Sequence, residues 1–280
     1  MSAWRTWTES DTRAQLRAPE PGDDKYSRGV LGVLTGSAQY PGAAVLGVEA
    51  AARSGAGMVR YLGDPEAARL VLQRRPEIVT APGRVQAWLI GSGMDAAHRA
   101  GETASRIDEA LGQNVPVVLD AGALDLAGRA AGPTVLTPHA GELVTLLGAH
   151  GVDTDRATVS AAPEEWAERA ADVLGVTVLL KGHVTHIAEP GGGGIRVTGG
   201  PAWLATAGSG DVLGGILGAL VSARSDDVLA GHARLASLAA AAAALHGAAG
   251  ALASGGGPLV ALDIAEAVPR VMAALLAPLS

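Results

Sequence analysis

Short runs rich in Val, Leu and Ile recur along the chain and alternate with longer Ala-rich stretches, which predicts βα units around a mostly parallel sheet. The apolar runs predict strands at Val30–Leu34, Met58–Tyr61, Ala87–Ile90, Val115–Leu119, Thr134–Leu136 and Val176–Leu180, with helices between them. One helix is read over Pro41–Ser54, with proline at its entrance and Gly55 past its end. After Leu180 the pattern changes to a hairpin, His183–Ala188 with Ile195–Thr198, joined through Pro190 and four successive glycines. Two long helices are expected from Gly210 and from about Asp227. Asp263 with Glu266 resembles a capping box for the last helix, while Pro269 argues for a later start or a bend. Residues 1–24 read as an N-terminal arm, extended or a short helical cover, and residues 25–280 as one α/β domain without internal repeat or linker.

Composition narrows this picture. Apolar residues make up 48% of the chain with no Phe and 39 Gly, so the core must be built from Ala, Val and Leu, and small side chains let helices sit close to a sheet. A net charge of −7 without a Lys/Arg cluster gives no footprint for nucleic acid. The absence of Cys excludes disulfides, thiolate metal sites and cysteine nucleophiles. The first 25 residues carry charges throughout and lack the apolar stretch of a secretory signal, so a cytoplasmic protein without a membrane partner is expected. Leu235–Ala253 is apolar but dominated by alanine and interrupted by His246, and is read as a buried helix rather than a membrane span.

Polar residues collect where strands end. Gly36-Ser37, Gly91-Ser92-Gly93, Asp120, Thr137 to Glu142 and Lys181-Gly182 each follow a predicted strand, which in open α/β sheets is the ligand-binding rim. The most informative segment is Ala205-Thr206-Ala207-Gly208-Ser209-Gly210-Asp211-Val212-Leu213. Backbone N–H groups at a glycine-rich helix entrance lack intrahelical partners and can hold an anion such as a transferring phosphate, with Asp211 placed to take a proton from an attacking hydroxyl. The plain alternative is that Ser209 or Asp211 caps the helix and the glycines make the turn. No Walker A loop, complete dinucleotide fingerprint or G-x-S-x-G elbow occurs. His183 and His186 have the wrong spacing to share a metal from one strand face.

Together with Lys25–Gly29, Tyr40–Ala44, Arg53–Gly57, Val118–Ala121, Thr137–Glu142 and Leu180–Gly182, that segment gives the chain a motif order that resembles the ADP-dependent (S)-NAD(P)H-hydrate dehydratases of the ribokinase-like superfamily, from about Lys25 to Leu276. The resemblance implies a ribokinase-like fold, a mostly parallel central sheet flanked by helices. It implies repair of a hydrated nicotinamide cofactor, with ADP as phosphoryl donor, AMP and phosphate as products, and Mg²⁺ as cofactor. By the same resemblance Asp211 is the catalytic base; Gly208, Ser209 and Gly210 form the anion hole; and Lys181, Gly182, His183, Val184, Thr185 and Gly210 bind the nucleotide. Ala43, Gly93, His139 and Asp211 line the hydrate pocket, and Glu142 organises Mg²⁺ through water. Asp211 is expected to be an ordinary ionised carboxylate of low proton affinity. The chain departs from the family pattern in Ser92, for a usual proline of a Gly-Pro-Gly, and in Ala140, for a proline after the histidine. Some 25 residues precede the match, so action on the S epimer alone is expected, and relatives imply a homo-oligomer, a tetramer. A small-molecule kinase of the same superfamily and a non-catalytic nucleotide-binding protein are the rival readings.

Overall fold

The computed structural model describes residues 3–99 and 101–278. Its first half comprises β1 (Trp4–Thr6), α1 (Glu9–Gln15), β2 (Val30–Leu34), α2 (Pro41–Arg53), β3 (Met58–Tyr61), α3 (Pro65–Arg74), β4 (Ala87–Ile90), α4 (Gly101–Leu111), β5 (Val117–Leu119) and β6 (Thr134–Leu136). Then follow α5 (Ala140–Ala149), α6 (Arg156–Ala161), α7 (Pro163–Leu174), β7 (Thr177–Leu180), β8 (Thr185–Ala188) and β9 (Gly194–Val197). The chain closes with α8 (Ser209–Ala223), α9 (Ser225–Leu229), α10 (Leu235–Ser254) and α11 (Ala261–Leu276).

The strands form one sheet in the order β1-β9-β8-β7-β6-β5-β4-β2-β3. Every neighbouring pair is parallel except those made by β8, the returning strand of the predicted hairpin. Strand residues alternate between two cores. Leu31, Val33, Leu89, Val118 and Leu179 face α2, α8, α10 and α11, whereas Val30, Leu34, Ile90, Leu119 and Leu136 face Ile107 and Leu111 of α4 and Leu146 of α5. Burial on both faces explains why the central strands read as continuous apolar runs.

Three expectations are corrected. The second long helix begins at Leu235 rather than near Asp227, because α9 is a separate short turn after Arg224. The last helix begins at Ala261 and runs through Pro269 to Leu276, so the proline neither delays nor ends it. Its first turn is held by Asp263, whose carboxylate accepts from the Val260 N–H at 3.1 Å, while Glu266 pairs with Arg74 instead of capping. The first hairpin strand starts at Thr185 rather than His183, the second keeps its expected length but begins one residue earlier, at Gly194, and the arm residues contribute β1 beside β9 and α1 against α10. Leu235–Ser254 is long and apolar enough to cross a membrane by length and composition, and most of it is packed inside the protein.

Glycine sets how near α8 comes to the sheet. A Cβ at Gly215 would lie 2.2 Å from the Gly47 carbonyl oxygen of α2, and one at Gly218 would strike Leu31. At the N-terminus of α8, Asp211 meets Ser92 and Asp120 of the carboxyl rim.

Candidate active site

The rim is built on a buried carboxylate. Asp120, 3% exposed at the end of β5, accepts from Lys181 Nζ and Thr137 Oγ1, each at 2.7 Å, and from Ser92 Oγ at 2.8 Å. These groups come from the ends of four adjacent strands, β4 to β7. Burial opposes ionisation of Asp120, but the Lys181 ammonium and the two hydroxyls outweigh it and hold the carboxyl below the usual range. Burial also opposes the charge on Lys181; the carboxylates of Asp120, Glu142 and Asp211 nevertheless raise its proton affinity. The ammonium is therefore a fixed positive charge.

Asp211 stands in the first turn of α8 above this pair. Burial, and then the negative charge of Asp120, push its carboxyl up to about 6, against the opposing pull of Lys181 and Ser92. The expectation of an ordinary carboxylate is thus corrected: removal from water and the nearby Asp120 charge outweigh the pull of Lys181 and Ser92. At neutral pH Asp211 is mainly ionised yet more basic than a surface aspartate, which suits proton transfer.

The glycine loop lies beside it. Gly208 caps α8 in a left-handed conformation, φ +87°, which an L side chain rarely adopts. The N–H groups of Gly208, Gly210 and Asp211 make no hydrogen bond among the described residues, whereas the Ser209 N–H closes a turn on the Thr206 carbonyl at 3.3 Å. The free donors thus differ from the expected set in one member, Asp211 standing in place of Ser209. Lys181 Nζ lies 3.7 Å from where a Cβ on Gly210 would sit, so ammonium and loop face the same space. That space offers backbone donors, a fixed cation and a base.

Gly182 and His183 are exposed, and Val184 and Thr185 half-buried, on the turn leading from Lys181 into β8. Ala43 and Gly93 meet: Gly93 has φ +68°, and a Cβ there would lie 2.5 Å from that of Ala43. His139 is elsewhere on the rim, at the end of β6 next to Lys181 and two strands from Gly93. Its ring Nδ1 accepts from the Glu142 N–H at 3.1 Å, and Glu142 Oε2 accepts from the His139 N–H at 2.7 Å, a capping box that starts α5. The His139 side chain remains 60% exposed, with Nε2 3.6 Å from Glu142 Oε2. Glu142 Oε2 also lies 3.7 Å from Lys181 Nζ. The predicted residues therefore fall into two groups along one rim, an Ala43–Gly93 end and a His139–Glu142–Lys181 end, with Asp211 above the buried network between them.

Ser92, Asp120 and Thr137 were not among the expected site residues. Asp120 and Thr137 were visible only as polar residues at strand ends, and nothing local to Asp120 tells which cation lies 61 positions away.

A mostly parallel sheet flanked by helices, with a glycine-rich helix entrance at its carboxyl rim, defines a ribokinase-like fold. The family model for NAD(P)H-hydrate dehydratase matches residues 31–270, and the chain belongs to that family. It is 47% identical over 226 residues to the bifunctional NAD(P)H-hydrate repair enzyme Nnr of Mycobacterium tuberculosis, covering 76% of this chain and 45% of the relative. The chain thus spans about half the length of those relatives. It is 38% identical over 248 residues to the ADP-dependent (S)-NAD(P)H-hydrate dehydratase of Xanthomonas campestris, covering 80% of this chain and 82% of that protein. The crystal structure of the ADP/ATP-dependent NAD(P)H-hydrate dehydratase of Bacillus subtilis, co-crystallized with ATP/Mg²⁺, superposes with a TM-score of 0.82 at 28% identity, covering 98% of this chain and 99% of that one.

Proposed function

We propose that this chain is an ADP-dependent (S)-NAD(P)H-hydrate dehydratase, returning the hydrate to NADH or NADPH with release of AMP and phosphate. The observation that carries the reading is Asp211, a carboxylate of raised basicity beside unpaired N–H donors and the fixed Lys181 cation. Hydroxide is a poor leaving group. Asp211 takes the proton of the C6 hydroxyl as its oxygen attacks the β-phosphorus of ADP, and AMP departs. The N–H groups of Gly208, Gly210 and Asp211 hold the transferring phosphoryl, and Lys181 balances its charge. The ring nitrogen lone pair then expels phosphate from C6, and loss of the C5 proton restores the double bond of the dihydronicotinamide.

The segment Lys181 to Thr185 binds the adenylate side. The hydrate extends along the rim past His139 toward Ala43 and Gly93, a span that suits a dinucleotide. Mg²⁺ keeps several waters and takes one or two carboxylates plus substrate phosphates rather than a protein cage. Among the described residues no three His or acidic side chains form such a cage, and Glu142 is the carboxylate that would take the ion through water. When bound, the ion neutralises phosphate charge.

The deciding experiment incubates the protein with (S)-NADHX, Mg²⁺ and ADP, following reduced-nicotinamide absorbance while products are separated. AMP, phosphate and NADH are expected one for one. A stable phosphorylated product would make the chain a kinase, and faster ADP formation from ATP than AMP formation from ADP would overturn the donor assignment.

A further inference from the structure

The loop from Ala205 to Gly210 is made of small residues, and only one of them is buried. Ser209 is 6% exposed, and its Oγ lies 3.0 Å from Nε2 of His246, itself 8% exposed on α10. The next positions of α10 support the same segment of chain: a Cβ on Gly247 would lie 3.3 Å from the Gly200 Cα, and one on Gly250 would meet Leu204 at 2.5 Å. α10 is thus the wall against which the approach to the anion loop is seated, and the Ser209–His246 bond is the polar tie at its end.

This tie also decides where the serine hydroxyl goes. A serine at a helix entrance readily turns its oxygen onto the free N–H groups of the first turn. Here the oxygen points away to His246, α8 has no side-chain cap, and the donors of Gly208, Gly210 and Asp211 stay available. We propose that His246 is a positioning residue of the phosphoryl-transfer site: by holding the Ser209 hydroxyl it keeps the loop in place and its N–H groups open to the phosphoryl group. The inference rests on the dehydratase reading given above. Burial pushes the imidazole down to about 4, so the bond is between neutral groups throughout the working pH range and does not report on protonation.

The test uses the full chain with Ser209→Ala, His246→Leu, the double variant and His246→Gln, whose amide nitrogen can replace Nε2. His246→Leu and Ser209→Ala should each lower kcat by about tenfold to a hundredfold, the scale of a small displacement of a reacting group, with KM for ADP within about threefold. The double variant should be no worse than the more affected single variant, and His246→Gln should recover most of kcat. Inorganic phosphate titrated calorimetrically onto AMP-loaded protein should bind about tenfold more weakly to each single variant; this readout needs no turnover. It therefore decides the role of the tie even if the parent protein proves inactive on NADHX, a result that would count against the dehydratase reading alone. If His246→Leu does not fold, Ser209→Ala decides by the same measures. Parent-like kcat and phosphate affinity in Ser209→Ala, or losses that multiply in the double variant, overturn the proposal.

Discussion

Asp211, the proposed base, carries a cost in stability. Its native pKa of about 6 lies above that of an unfolded aspartate, so the fold favours the protonated form; this stabilisation is present below about pH 4 and is lost as pH rises through 6. Ionised at about pH 7.5, the buried carboxylate opposes folding by roughly 1–3 kcal/mol after allowance for screening. Asp211→Asn should therefore lower turnover by about 10²–10⁴ while raising the melting temperature by several degrees at about pH 7.5, with little gain at about pH 4. Steady-state rates and thermal melts at both pH values check this; an active variant, or one with a lower melting point, would remove the strained base from the account. The acid limb of kcat/KM in the parent should titrate near 6 for the same reason. His139 caps α5 through Nδ1, and under the proposed function its exposed ring also meets the substrate. His139→Ala should raise KM for NADHX by about three- to thirtyfold and cost roughly 1 kcal/mol of stability. His139→Asn, a good cap, should keep the stability and still lose the substrate contact. Kinetics with each substrate varied, set beside melts, separate the two; an effect confined to ADP would place His139 at the nucleotide end.

Among the elements, α2 is tied to its neighbours by a single buried carboxylate. Glu49 is fully buried and accepts from Arg53 at 2.6 Å, from Arg74 at 3.2 Å and from both nitrogens of an Arg75 fork, while Arg74 continues to Glu266 on α11. Burial opposes its charge, yet the three guanidiniums hold its carboxyl down at about 2. Removing the charge leaves those cations without their shared partner. Glu49→Gln should cost about 3–5 kcal/mol, read as a lower urea midpoint at neutral pH. Because the native pKa is depressed, this stabilisation is present above the unfolded pKa of about 4.5 and fades as pH falls toward 2, so the gap between parent and variant should narrow at about pH 3. Equal midpoints at neutral pH would show that the cluster is only surface pairing. In the sequence Glu49 is one acidic residue in an alanine-rich helix, since two of its three partners lie 25 and 26 positions away.

For the whole molecule, the sheet separates the site from its far edge. β1 and β9 lie beyond β8 from Lys181, and α1 covers a cavity of about 620 Å³ whose walls include Trp7, Thr12, Gly199, Leu252 and Arg270. Deleting residues 1–16 uncovers the β9 edge and removes the buried Trp7 and Leu16, each worth about 1.5–3 kcal/mol. The melting temperature should fall while kcat stays within about threefold; a collapse of kcat in a folded variant would link that edge to the site. The central strands, the helix entered at Pro41, the hairpin and the glycine entrance to α8 were legible in the sequence because each depends on short-range periodicity and turn chemistry. The order of strands, the pairing of Asp120 with Lys181, the raised basicity of Asp211 and the Ser209–His246 tie were not. Each depends on which distant groups share a buried space, where removal from water makes a missing partner costly and a correct one decisive. Local pattern thus determined the elements and the glycine-rich entrance to α8, and tertiary packing alone decided the charge and reach of the groups around it.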